Sequence, residues 1–309
     1  MRKLSKAERF VLTKLEENSR QPLSRVAKQG RLSPEGVTKI ITRLEKNKII
    51  RGYKTKSNYS KLGITIYRAY IKLKKKDSVT LTKIKKILSR NGCCPWHSFC
   101  EGEFDLRISI EIKSAQELDD MKNLFIDLES YTAEKQIMIF LNAFSLSKIF
   151  NEQKTRRLFT VINHKDKQVV LTESEKKLIQ VLRFDPLIKI TDAADKLNLS
   201  LKTISKILKK LLKSGVITGF ESDINMANLD YLPFVALFVL GEYNELDLEK
   251  FQVYCKNQQG ITYFIYGIGN YSIEIVMFMK TTNEFYGALN EIREKFPFIR
   301  KISTMIEGY

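Results

Sequence analysis

Histidine and tryptophan are scarce in this 309-residue chain, with two of the first and one of the second. Two histidines leave general acid–base catalysis few of its usual candidates, so the chain is not expected to be an enzyme. Cysteine is sparse as well, four residues without a disulfide-rich spacing, which argues against a disulfide scaffold and an oxidising compartment. No apolar run approaches the roughly 20 residues that span a bilayer. The start, Met1-Arg2-Lys3-Leu4-Ser5-Lys6, lacks the apolar stretch of a secretory signal. The expected compartment is the cytosol, with no membrane partner. Acidic residues are outnumbered, 35 against 53 basic ones, for a formal charge of +18. That excess suits a polyanionic partner, and without a membrane span nucleic acid is favoured over an anionic membrane surface. The 43% hydrophobic and 28% charged content is ordinary for a globular protein, and the length allows roughly two to four domains.

One cluster invites a metal. Cys93, Cys94, His97 and Cys100 are all of ligand type. A strand over 96–101 would turn His97 and Cys100 to opposite faces, and the corresponding later positions, Gly260, Ile261, Phe264 and Gly267, hold no ligand. No metal and no cofactor are expected; the thiols read as small apolar groups in a half-buried strand.

The organising stretch is Leu32 to Leu44. Val37, Ile40, Ile41 and Leu44 fall at i, i+3, i+4 and i+7, one apolar face of a helix. Ser33 is placed as its N-cap and Pro34 at its first position. Ser33, Glu35, Thr38, Lys39, Thr42 and Arg43 are left pointing outward. The short helix before it, Ser24 to Lys28 with Ser24 as cap, and the turn at Gln29-Gly30-Arg31 complete a helix-turn-helix, whose second helix typically enters the DNA major groove. A plain three-helix core would show the same periodicity.

The chain then repeats itself. At a shift of 167 positions Leu32-Ser33 falls on Leu199-Ser200, Val37 on Ile204, Ile40 on Ile207 and Leu44 on Leu211. Leu4-Ser5-Lys6-Ala7-Glu8 falls on Leu171-Thr172-Glu173-Ser174-Glu175, and Gly102-Glu103-Phe104 on Gly269-Asn270-Tyr271. So long a period predicts two copies of a whole module. The second recognition helix, 200–213, turns Ser200, Lys202, Thr203, Lys206, Lys209 and Lys210 outward, and Thr191 aligns with Ser24 as the cap of the helix before it.

Each recognition helix leads into a short β-wing. The first, Ile49 to Lys56, carries Arg51, Lys54 and Lys56, able to meet phosphates. The second, Thr218 to Asp223, is acidic. After each wing the pattern is strand, helix, two strands, helix, strand: strands at 64–73, 96–101, 105–112 and 134–141 with helices near 80–90 and 118–128, then strands at 231–240, 261–267, 271–279 and 300–307 with helices near 246–257 and 282–295. This βαββαβ order is that of a ferredoxin-like domain. The fold class is α+β. The expected organisation is a winged helix-turn-helix over 1–58, a ferredoxin-like domain over 59–142, a basic linker over 143–170, and second copies over 171–226 and 227–309. The linker's Lys148, Lys154, Arg156, Arg157, Lys165 and Lys167 suit either DNA or a solvated surface.

A winged helix-turn-helix followed by βαββαβ resembles the Lrp/AsnC (feast/famine) transcription regulators. The resemblance is carried by Leu32-Ser33-Pro34, by Leu44-Glu45-Lys46-Asn47-Lys48-Ile49-Ile50-Arg51-Gly52-Tyr53, by Leu62-Gly63, and by Glu101-Gly102-Glu103-Phe104-Asp105-Leu106, which is similar to the family's Gly-x-Tyr-Asp turn. It covers both copies. It implies DNA-binding transcriptional control, homo-oligomers formed through the ferredoxin-like domains, and often a small-molecule effector such as an amino acid. A family pocket would lie near Gly102, Asp105 or Gly269, where the glycines equally suit tight turns. One chain with both halves resembles a linked pseudo-dimer reading paired half-sites.

Two other readings compete. Siroheme decarboxylases reuse this architecture, but that resemblance calls for histidine and arginine around the segment between the second and third strands and an Asn-Leu-Trp-Phe-like strand, where this chain has only His97 and His164 and the strand Phe104-Asp105-Leu106-Arg107-Ile108. A non-specific architectural DNA-binding protein is also compatible with the charge.

Overall fold

The computed structural model describes residues 4–147 and 157–308. Helices α1 (Lys6–Glu17), α2 (Leu23–Gly30) and α3 (Pro34–Lys46) lead into strand β1 (Ile50–Ser57). There follow β2 (Thr65–Leu73), α4 (Ser78–Arg90), β3 (Trp96–Gly102), β4 (Leu106–Ile112), α5 (Leu118–Glu129) and β5 (Thr132–Leu146). A strand β6 (Leu158–Asn163) lies inside the expected linker. Then come α6 (Glu173–Phe184), α7 (Ile190–Leu197), α8 (Leu201–Lys213), β7 (Ile217–Ile224), β8 (Leu232–Leu240), α9 (Glu245–Asn257), β9 (Ile261–Gly269), β10 (Ile273–Met279), α10 (Thr282–Lys295) and β11 (Ile299–Glu307).

The chain divides into two compact units, and they cut across the sequence order. One draws on Met1–Leu62, Phe144–Val161 and Lys165–Tyr231; the other on Gly63–Ala143, Ile162–His164 and Leu232–Tyr309. The five consecutive domains expected from the sequence are thus gathered by kind, the helix-turn-helix elements together and the sheet elements together.

In the first unit, capping boxes start α1 and α6: Ser5 with Glu8, and Thr172 with Glu175. Ser24 and Thr191 are not caps. α2 and α7 begin one residue earlier, after Pro22 and Lys189, with no side-chain cap bond. Both helices end on a left-handed residue, Arg31 and Asn198, each at φ 52°, and the N–H groups of Leu32 and Leu199 then bond the carbonyls of Ala27 and Ala194. That tight closure points the chain into the recognition helix.

In the second unit both halves keep the expected βαββαβ order, with neighbours β5-β2-β4-β3 in one and β9-β10-β8-β11 in the other, and the two sets of strands are joined edge to edge. Their order is β2-β4-β3-β11-β8-β10-β9-β5-β6, with β5 also pairing β2. All but β6 therefore make a closed, barrel-like ring, and β6 adds outside it on β5. The reason is the edge strands: β3 and β5 of the first set would expose unpaired N–H and C=O groups, and β11 and β9 satisfy them. One face of β2 and β4 packs Ala69, Ile71, Leu106, Ile108 and Ile110 on Ile84, Leu88, Leu124 and Leu128 of α4 and α5. In the second half, Phe234 of β8 stacks on Phe285 of α10 with ring centroids 4.3 Å apart.

Candidate nucleic-acid interface

The helices expected from the sequence to face DNA are α3 and α8. Ser33 Oγ accepts the Gly36 N–H at 3.0 Å, and Ser200 Oγ accepts the Thr203 N–H at 3.1 Å. Val37, Ile40 and Leu44, and likewise Ile204, Ile207 and Leu211, are buried. The opposite face stays open. Ser33, Glu35, Thr38, Lys39, Thr42 and Arg43 are exposed on α3, and Ser200, Lys202, Lys206, Lys209 and Lys210 at α8; Thr203 is half-buried. The helical period separates these faces, so every residue nominated on the two helices has its side chain at or near solvent.

Two of those cations already have partners. Arg43 lies 3.0 Å from Oε1 of Glu8, and Lys210 lies 2.6 Å from Oε1 of Glu175. Each buried glutamate thus ties the C-terminal half of a recognition helix to the start of its first helix.

The wings differ from expectation. β1 and β7 are not two separate wings; they pair antiparallel as a two-stranded sheet. Arg51 and Lys54 lie 3.2 and 2.8 Å from Asp223 Oδ1, and Lys56 lies 2.7 Å from Glu221. The acidic second wing neutralises the basic first, so Arg51 and Lys54, although half-exposed, offer phosphates less charge than their number implies. The Asp223 carboxyl titrates below its ordinary range: burial alone would raise it, and the Lys54 and Arg51 charges and bonds outweigh that.

Other cations that sequence reasoning passed over hold this unit together. Arg20 donates to the carbonyls of Pro186 and Ile188 at 2.7 and 2.8 Å. Arg157, read as linker charge for DNA or solvent, instead donates to the Glu17 and Thr218 carbonyls at 2.7 and 3.2 Å. Burial lowers both guanidinium pKa values. Their signal in the sequence is no different from that of any surface arginine. Lys148, Lys154 and Arg156 lie outside the described residues.

The residues nominated for an effector have another occupation. A Cβ on Gly102 would stand 2.4 Å from the Thr304 carbonyl oxygen, and one on Gly269 would stand 2.3 Å from that of Ile137. Both glycines therefore serve the strand pairing that closes the ring. Asp105 is buried, accepts the Leu73 N–H at 2.9 Å, and pairs with Lys72 and Lys76. Against the push of burial, these bonds hold its carboxyl below the usual value.

The thiols of Cys93, Cys94 and Cys100 point to different acceptors: the Asn91 side chain, the Trp96 carbonyl and the Ser98 carbonyl. Burial pushes their pKa values up to about 11, 12 and 12, which keeps them protonated. Among the described residues no group of three or more histidine, cysteine or carboxylate side chains is placed to hold a metal, and no helix is long and apolar enough to cross a membrane.

Comparison with known proteins adds three findings. Residues 171–218 match the winged helix-turn-helix DNA-binding family model. An uncharacterized HTH-type transcriptional regulator of Pyrococcus abyssi is 40% identical over 62 residues, which span 20% of this chain and 42% of that protein. The siroheme decarboxylase NirDL shares the fold of the whole chain, with a TM-score of 0.64 and 16% identity over 98% of this chain and 91% of its own. Its co-complex with an iron-uroporphyrin III analogue aligns at a TM-score of 0.62 and 16% identity over the same shares. The expectation that the chain is no enzyme is corrected here: its full architecture is one that an enzyme uses, and fold does not exclude catalysis. Over residues 171–218 the chain carries a winged helix-turn-helix DNA-binding module, similar to that of HTH-type transcriptional regulators.

Proposed function

We propose that this chain is a DNA-binding transcriptional regulator acting as a single-chain pseudo-dimer, two copies of one module whose recognition helices read paired half-sites. The observation that carries it is the pair of N-capped helices, α3 and α8, each buried on one face and lined with exposed lysines and hydroxyls on the other. Lys39, Lys202, Lys206 and Lys209 take phosphates, and Ser33, Glu35, Thr38 and Thr42 lie where base edges would be. Linkage in one chain raises the effective concentration of the second module. Because Glu35 corresponds to Lys202, the two half-sites differ and the operator is asymmetric. The setting is cytosolic. Further chains would associate outside the β3 and β5 edges, which are paired within the chain.

The test is titration onto the chain's own promoter and onto scrambled DNA at several salt concentrations, with K39E/K206E alongside. Preference for the promoter that the double variant loses supports the reading. Equal affinity for both DNAs with a steep salt slope replaces it by architectural binding.

The whole-chain likeness to NirDL favours a second reading, a decarboxylase acting on a siroheme-like tetrapyrrole. Its test is incubation with siroheme, followed by mass spectrometry for loss of carbon dioxide from the macrocycle's side chains.

A further inference from the structure

The two halves of this chain carry opposite charge at the positions where they meet. In the β1–β7 sheet Lys54 stands opposite Glu221, which is its own counterpart 167 residues on. Tyr53 faces Ser222 and Thr55 faces Phe220 around that centre, so the strand pair has a local two-fold relation. Pairing two copies of β1 in the same way would set Lys54 against Lys54, beside Arg51 and Lys56. Two copies of β7 would set Glu221 against Glu221, beside Asp223.

The ring of strands repeats the arrangement independently. Phe104 and its counterpart Tyr271 touch, with ring centroids 6.1 Å apart at 89°. Arg107 and its counterpart Glu274 form an ion pair in which neither side chain is more than 2% exposed. Tyr70 donates to the second Glu274 oxygen at 2.6 Å, and Glu307 also pairs with Arg107. A like-with-like pairing there would bury two guanidinium groups or two carboxylates in contact, and uncompensated buried charges are strongly destabilising.

We infer that these contact surfaces are an interaction code: the basic-centred first half accepts the acidic-centred second half and rejects another copy of itself. The halves join within one chain, or reciprocally between two chains, and never like with like. The inference rests on the reading of two equivalent halves proposed above. It adds that the order of the two recognition helices on an operator is invariant.

Two full-length variants test it without DNA. R51E/K54E/K56E/R107E makes both halves acidic at the contacts, and E221K/D223K/E274R makes both basic. Alone, each is expected to melt at least about 10 °C below wild type. Refolded together, they are expected to regain most of that loss as a 1:1 complex of twice the monomer mass. Wild-type melting of either variant alone, or a mixture of folded variants no more stable than its components, overturns the inference. Should the buried exchange block folding even in the mixture, R51E/K54E/K56E with E221K/D223K leaves Arg107 and Glu274 intact. A smaller loss with the same rescue is then required, and its absence overturns the inference. Since no DNA is involved, loss of promoter binding and loss of rescue fail separately.

Discussion

Glu175 holds the Thr172 N–H on one carboxylate oxygen at 2.9 Å and Lys210 on the other at 2.6 Å. Glu8 does the same for the Ser5 N–H and Arg43, at 2.8 and 3.0 Å. One side chain therefore both starts the first helix and anchors the recognition helix that crosses it. The bond from Lys210 is the main reason the Glu175 carboxyl sits below the ordinary range.

A pH dependence follows. Glu175, Asp105 and Asp223 all have depressed folded-state pKa values, so their stabilisation is complete above the unfolded values of about 4 and is lost as pH falls through the folded ones. Thermal denaturation is expected to show a midpoint that is level from about pH 6 to 5 and declines below about pH 4. Glu175→Gln keeps the cap geometry but should flatten part of that acid limb.

Reversing Lys39 and Lys206 should weaken DNA binding without unfolding the chain, since both are exposed on α3 and α8. Each lysine on a phosphate contributes about one unit to the slope of log affinity against log salt. The double variant is expected to show a slope shallower by about two units with an unchanged circular dichroism spectrum.

Asp223→Asn should release Arg51 and Lys54 from their shared carboxylate. Affinity for random DNA at low salt is expected to rise about two- to fivefold, read by fluorescence anisotropy. A fall would mean that the paired wing sheet itself is the surface DNA recognises.

Gly102→Ala should destabilise the ring by roughly 2–4 kcal/mol. The residue has φ 141° and no room beside Thr304. Gly269→Ala meets Ile137 in the same way. Both variants should melt lower, while DNA affinity measured well below the melting point stays near wild type.

Much of this architecture is legible in one dimension. Ser5 with Glu8, Ser33 before Pro34, and the spacing of Val37, Ile40 and Leu44 state helix starts and faces through local bonds and period alone. Gly102 and Gly269 were visible as special positions. Their purpose was not, because the carbonyls of Thr304 and Ile137 that forbid a side chain come from strands far along the chain. Arg157 and Arg20 were indistinguishable from surface charge for the same reason: their acceptors are backbone carbonyls, which every residue has.

The sequence by itself determined the helices, the strands other than β6, and the outward face of α3 and α8, since capping and periodicity act within about a dozen residues. Only the tertiary structure decided which strands neighbour which: the joining of β1 to β7, the closing of the ring through β3–β11 and β9–β5, and the pairing of Arg107 with Glu274. Backbone hydrogen bonding along an edge strand is the same for every partner, so the choice of partner is made by side chains that meet only once the chain has folded.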